Sequence, residues 1–272
     1  MKRIAIFFLY AALLLVAAAM LFPLFWMLLL SVKEQPQSAF TLAELIVSPY
    51  TTQHYREMLS SDTFGVYLAN SFFVAGAVTL GNVVLCLFCG YAFARKEFRG
   101  KQLFFLSVLG VMMIPPHVVM IPLYRMMVQF GWINSYLALI LPWLVTPFGI
   151  FLVRQYVQGI PADVEDAARI DGASEWYIVW RVVMPLCKPV LVVLALYTFL
   201  SQWNAFLFPF LFTNDLEHRT LTVALAFFHG KQTVEWANLM ASASIAAVPI
   251  IALFLVFQRQ IIQAMTIGAL KE

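Results

Sequence analysis

The chain has 272 residues, 62% of them hydrophobic and only 11% charged, against about 25% charged in soluble domains. This composition excludes a water-soluble globular domain. A formal net charge of +3, spread along the chain, also gives no basic surface for nucleic acid, so membrane lipid is the partner implied and the placement of the positive residues is what informs.

Met1-Lys2-Arg3 followed by apolar residues has the form of a secretory signal, and Ala17-Ala18-Ala19 offers small residues for cleavage. The uncharged run continues from Ile4 to Val32, however, well beyond a signal core of about 7 to 15 residues. An uncleaved first span is predicted. Crossing the hydrocarbon takes about 20 apolar residues as a helix, and the charge-free runs predict six transmembrane helices, at approximately 5–31, 69–94, 103–124, 136–156, 189–212 and 241–258, in one domain covering 1–272.

Within the second run Cys86 and Cys89 form a CxxC pair. A metal or redox site would need a second pair or a set of histidines nearby; lacking these, the two read as small hydrophobes, with no metal and no disulfide predicted. Arg125 must lie near a membrane surface if the third and fourth runs are separate spans, and the segment 130–135, with Trp132 suited to an interface, supplies the turn there. Pro115, Pro116, Pro122, Pro142, Pro147, Pro209 and Pro249 fall within runs. Each breaks the helical ladder, and two readings stay open: kinks that line a translocation path, or kinks that serve helix packing. His117, beside two prolines, reads as a hydrogen-bonded structural residue rather than a proton relay.

The one long charged segment with a helical pattern is the loop 159–185. Pro161 suits a first helical position, Asp163, Glu165 and Asp166 fill the opening turns where the dipole favours anions, Arg169 lies toward the other end, and Gly172 ends the helix. Ser174 is then the predicted N-cap of a second short helix carrying Trp176, Val179, Trp180 and Val183, stopped by Pro185. With the N-terminus inside the cell, twelve of the 17 basic residues fall on the cytoplasmic side. Both termini and this loop are then cytoplasmic.

No acidic or basic residue interrupts the runs Ile4 to Val32, Thr63 to Ala94, Gln102 to Tyr124, Met126 to Val153, Pro189 to Asn214 and Trp236 to Gln258, which disfavours a proton- or ion-coupled carrier. A phosphate-cradling G-x-x-x-x-G-K-[ST] loop is also missing. For a solute path, Asn82, Tyr197, Gln202, Trp203 and Asn204 are candidates as polar and aromatic groups in an apolar wall, the alternative for each being a bond between helices. Gln202, Trp203 and Asn204 are adjacent and cannot all face one lumen.

The run Asp166-Ala167-Ala168, three residues, Gly172, nine residues, Val182-Val183-Met184-Pro185 resembles the EAA loop of binding-protein-dependent ABC-importer permeases, with Asp166, Val182 and Met184 in place of Glu, Ile and Leu. The stretch 167–173, Trp203-Asn204 before Phe206-Leu207-Phe208-Pro209, and the ending Gly268-Ala269-Leu270-Lys271 are similar to carbohydrate-uptake permeases of the maltose-transporter type. The resemblance implies an all-α integral membrane permease with a cytoplasmic coupling-helix (EAA) loop, in which Glu165, Asp166, Ala167, Ala168, Arg169, Asp171, Gly172 and Pro185 couple to ATPase subunits. It further implies a second permease, two ATPase subunits holding ATP and Mg, and an extracytoplasmic solute-binding protein. The place implied is a bacterial plasma (inner) membrane, for a chain with no cofactor and no catalytic site of its own. The alternatives are a secondary carrier or channel without an ATPase partner, and an intramembrane enzyme.

Overall fold

The computed structural model describes residues 2–34, 49–227 and 236–269. Among these the chain is helical, apart from a single antiparallel bridge between Lys33 and Tyr50. In order the helices are α1 (Lys2–Ser31), α2 (Gln53–Ser60), α3 (Asp62–Arg95), α4 (Lys101–Met112), α5 (Met120–Gln129), α6 (Tyr136–Ile140), α7 (Pro147–Gln158), α8 (Asp163–Ile170), α9 (Glu175–Tyr177), α10 (Lys188–Trp203), α11 (Leu207–Phe212), α12 (Leu221–Phe227) and α13 (Trp236–Ala269). By length and composition Ile6–Ser31, Asp62–Arg95, Tyr136–Gln158 and Trp236–Arg259 can each cross a membrane, and the total reaches six if two bent helix pairs each count as one span.

The bent pairs are Lys101–Met112 with Pro116–Gln129 and Glu175–Leu186 with Lys188–Trp203, the second turning by 79°, and each bend has prolines beside it. Pro115 and Pro116 have no N–H to continue the α4 ladder, and a residue before proline is pushed out of the helical region. Pro115 is accordingly extended (ψ 134°), and the axis turns by 95° between Lys101–Met112 and Pro116–Gln129. The predicted span 103–124 is therefore two helical pieces. The predicted span 189–212 is divided as well: α10 ends at Trp203, and α11 begins at Leu207.

Contacts divide the chain into two units, one drawn from residues up to Val66 and from Val223–Ile251, the other from Tyr67–Thr222 and from Ala252 onward. In the first, Ser31 and Tyr55 share a hydrogen bond of 2.6 Å, and His54 reaches Asn238 (3.2 Å) and the Lys33 carbonyl (3.0 Å).

The second unit is built on α3. Its N-terminal half packs Val74 and Val78 with Met127, Leu139 and Phe212. Its C-terminal half packs Cys86, Leu87 and Tyr91 with Val153 and Val157 of α7, Ile178 and Val183 beyond α9, and Leu194 of α10. The α3–α7 contact is close enough that a Cβ on Gly149 would stand 2.6 Å from Cys86 Sγ. Small residues allow this backbone approach where no hydrophobic effect drives helices together. Cys86 is buried there, its thiol pointing at Asn82 Oδ1 and the Thr146 carbonyl, both at 3.7 Å.

Candidate functional site

Between α7 and α10 the chain folds as two short helices joined at a glycine. Helix α8 begins two residues after Pro161 rather than on it, and Asp163, Glu165 and Asp166 fall in its first turns. Gly172 takes φ +82°, the left-handed conformation expected of a helix-ending glycine. Ser174 caps α9 by accepting a bond from the Tyr177 N–H (3.3 Å). Beyond α9 the backbone widens into a π-helical run, Ile178–Val183. That run seats Val179 and Val183 in the core, while Trp176 and Trp180 both meet the Phe88 ring edge-on, at 5.0 and 5.4 Å.

The charges of this loop form one network, and its centre is Glu165. Only 1% of this residue is exposed. Its carboxylate accepts from Arg95 Nε at 2.6 Å, from Tyr91 Oη at 3.0 Å and from Arg169 Nη2 at 3.4 Å, while Arg95 also donates through Nη2 to the Ile160 carbonyl. A buried carboxylate is tolerable only when paired and hydrogen-bonded in this way. The result ties α8 to the C-terminal end of α3.

Around that centre lie exposed pairs. Arg169 also binds Asp166 (2.6 Å) and Glu175 (3.1 Å), and Lys96 binds Glu175 (2.6 Å). Hydrogen bonds from Lys96 and then Arg169 hold the Glu175 carboxyl down to about 2, and those from Glu175 and Asp166 raise the Arg169 guanidinium. Because the Glu175 value lies below its ordinary 4.5, the stabilisation is fully present above that value and fades only as pH falls toward about 2. These pairs therefore persist throughout the physiological range.

Two neighbouring carboxylates that read alike in sequence thus have different surroundings. Asp166 is exposed and, among the described residues, bound only to Arg169, so it is the one of the two that is open to a partner. The alanines differ too. Ala168 packs against the core, whereas Ala167 is exposed, and Val164, Ala167 and Ile170 recur at three-residue spacing on the open side of α8. Ile170 is 87% exposed. Beside them Ala168, Asp171, Gly172, Ala173, Ser174 and Tyr177 line a groove of about 500 Å³. Pro185 lies in the turn Met184–Leu186 just before α10.

The path candidates are not gathered at one place. Asn82 is fully buried: its amide donates to the Trp143 carbonyl (3.3 Å) and Thr146 Oγ1 (3.2 Å), and its oxygen accepts from Thr198 Oγ1 (3.3 Å). It joins α3 to α10 and to the turn before α7. Trp203 is buried between Phe199 and Phe72, and Asn204 bonds back to the Leu200 carbonyl (2.8 Å). Tyr197 is exposed and leans on Phe148. Gln202 opens onto a cavity with His117. His117 is exposed, and its imidazole makes no hydrogen bond among the described residues.

On the opposite rim, Asn70 of α3 donates to the carbonyls of Glu217 (2.6 Å) and Arg219 (3.0 Å), and the Leu221 N–H donates to Ser71 Oγ (2.8 Å). Asn134, at φ +58°, accepts from the Asn214 N–H (2.6 Å).

Several apolar helices long enough to cross a bilayer, together with a charged helix pair held rigidly at the end of one of them, define a multi-pass membrane protein with a built peripheral surface. The chain belongs to the family of binding-protein-dependent transport system inner membrane components, which matches residues 82–267, and it is thus a membrane transport subunit rather than an enzyme. Over 262 residues it is 35% identical to the trehalose/maltose transport system permease protein MalG of Thermococcus litoralis, with 94% of each chain covered. It is 34% identical over 261 residues to the trehalose transport system permease protein SugB of Mycobacterium tuberculosis, again with 94% of each covered. The fold is shared with a chain in the crystal structure of a bacterial ABC transporter involved in the import of the acidic polysaccharide alginate, with a TM-score of 0.82 at 22% identity, covering 95% of this chain and 98% of that one.

Proposed function

We propose that the chain is one permease subunit of an ATP-driven importer for a carbohydrate or related polyol-type solute. It works in a bacterial plasma membrane with a second permease, two ATPase subunits and an extracytoplasmic solute-binding protein. With six spans, both termini and the loop 159–185 would lie in the cytoplasm, where the loop would meet the ATPase. ATP and Mg are held by the partners, and this chain binds no cofactor.

The observation that carries the reading is the split character of α8. Its inner side is fixed to α3 through Glu165, and its outer side exposes Val164, Ala167 and Ile170. Apolar side chains left open together on one side of a charged helix favour a surface for a protein, and an amphipathic helix presenting anchors at such spacing suits a groove. Solute entry and ATPase closure would be linked because α8 cannot move without the end of α3. The test is to coexpress the chain with the permease, ATPase and binding-protein genes beside its own, and to measure copurification and ATP-dependent solute uptake. An isolated subunit that transports without ATPase would refute the reading.

In this reading Gly172 sets the angle between the two short helices. A Cβ there would meet nothing within 4 Å, so Gly172→Val acts through backbone strain alone, about 1 kcal/mol, or roughly a fivefold loss of uptake at normal membrane levels. Uptake at the wild-type rate would mean that the turn needs no glycine geometry.

Opposite the ATPase side, the loop Asp215–Glu235 is assigned to the binding protein, although its first part is bonded to α3 and is structural. Residues 228–235 lie outside the described residues. Exchanging only these for a glycine-serine linker is expected to leave ATPase retention intact and to remove stimulation of ATP hydrolysis by the binding protein. Retained stimulation would exclude these residues from that contact.

A further inference from the structure

Two helix breaks far apart in sequence open onto one cavity of about 260 Å³. One is the Pro115–Pro116 break, which brings His117; the other follows α10, bringing Ser201, Gln202 and Phe206, with Trp143 between them. None of the His117, Ser201 and Gln202 side chains makes a hydrogen bond among the described residues. His117 and Ser201 are exposed and Gln202 is half-buried, so these polar groups are open to water or a ligand where the surrounding chain is apolar. Their convergence with aromatic faces has the composition of a small-molecule site.

We propose that this cavity binds one neutral, polyhydroxylated ring of the transported solute, stacked on Trp143 or Phe206 and hydrogen-bonded to Gln202, Ser201 and His117. The proposal rests on the carbohydrate reading above and goes beyond it in assigning this contact to this chain. Neutrality follows from the lining, which holds no Asp, Glu, Lys or Arg to balance a phosphate or carboxylate. The volume sets the size: it lies at the lower edge of ligand pockets, about 300 Å³, enough for a single ring at a time. Aromatic faces favour the polarised C–H groups of such a ring, and the amide, hydroxyl and imidazole supply both donors and acceptors for its hydroxyls. Pro116 and Pro209 stiffen the wall, so the polar groups are held in place before the solute arrives.

The test uses the full importer complex in proteoliposomes and whichever of trehalose, maltose and an arabino-oligosaccharide the wild-type complex takes up. Ser201→Cys, in a background with Cys86, Cys89 and Cys187 replaced by alanine, is expected to react with a charged, water-soluble thiol reagent, and the transported sugar is expected to slow that reaction. Gln202→Leu is expected to lower uptake about tenfold, the loss of one or two hydrogen bonds, with ATPase retention unchanged; leucine would be harmless if Gln202 only faced lipid. An unreactive thiol in the Ser201→Cys variant, a reaction rate indifferent to the transported sugar, or wild-type uptake in Gln202→Leu would overturn the assignment of this site alone. A wild-type complex that takes up none of the three sugars would overturn the carbohydrate reading and this inference with it.

Discussion

Reversing Glu165 to lysine is expected to abolish transport, while reversing its neighbour Asp166 leaves a substantial part of it. The lysine would put an ammonium where Arg95, Tyr91 and Arg169 now share a carboxylate. Breaking a buried pair by removing one partner costs about 3 to 5 kcal/mol, and the reversal adds repulsion from Arg95. At Asp166 the loss is one exposed bond to Arg169, worth at most about 1 kcal/mol, together with whatever a partner takes from that charge. Membrane insertion is expected to be unchanged in both, because added positive charge on a loop proposed to be cytoplasmic agrees with the topology rule. Solute uptake and retained ATPase, measured at equal membrane levels, decide the matter. Glu165→Gln is expected to fall between, since the amide fills the same volume but cannot offset the Arg95 charge. Equal uptake in the Glu165 and Asp166 reversals would show that α8 does not depend on its tie to α3.

Ala167→Trp is expected to detach the ATPase. Ala167 stands on the open side of α8 between Val164 and Ile170, where a partner's groove would approach the backbone most closely. An indole there holds the two surfaces apart while disturbing nothing inside this chain. Ala168→Trp is expected to act differently: that side chain packs against the core, so the indole must displace core side chains, an overpacking worth about 1 to 3 kcal/mol. The two variants separate docking from folding. The Ala167 variant should run as a normally stable membrane protein lacking ATPase, and the Ala168 variant should unfold at lower temperature. ATPase retained at wild-type levels by Ala167→Trp would remove the exposed face of α8 from the docking surface.

Much of the chain's local structure is legible in its residues. Apolar runs of spanning length, the acidic opening of α8, the glycine at positive φ and the serine cap each depend on composition or on backbone within a few residues. The helix break at Pro115–Pro116 belongs to the same class, although its 95° angle does not, because a missing N–H permits a bend without setting its size. The break after Trp203 carries a weaker signal: Asn204 and Phe206-Leu207-Phe208-Pro209 stood out as a motif, yet the stretch reads as uninterrupted apolar helix.

What helical periodicity cannot assign is which side of a helix meets its own fold and which is left for a partner. In the sequence Glu165 and Asp166 are two acids in one turn, and Ala167 and Ala168 two small residues in the next positions. Only the packing of α8 against Tyr91 and Arg95, some 70 residues earlier, makes Glu165 an internal charge and Asp166 an external one. Asn82 is a similar case: its polarity suggests a path residue, and the arrival of Thr146 and Thr198 turns it into a tie between helices. His117 and Gln202 run the other way, without a side-chain hydrogen bond among the described residues. The sequence by itself determined a helical membrane protein with a glycine-hinged, capped helix pair, because those features follow from hydropathy and short-range backbone preference. The tertiary structure decided which charges are spent inside and which polar groups stay open, because burial is a property of contacts between segments far apart in the chain.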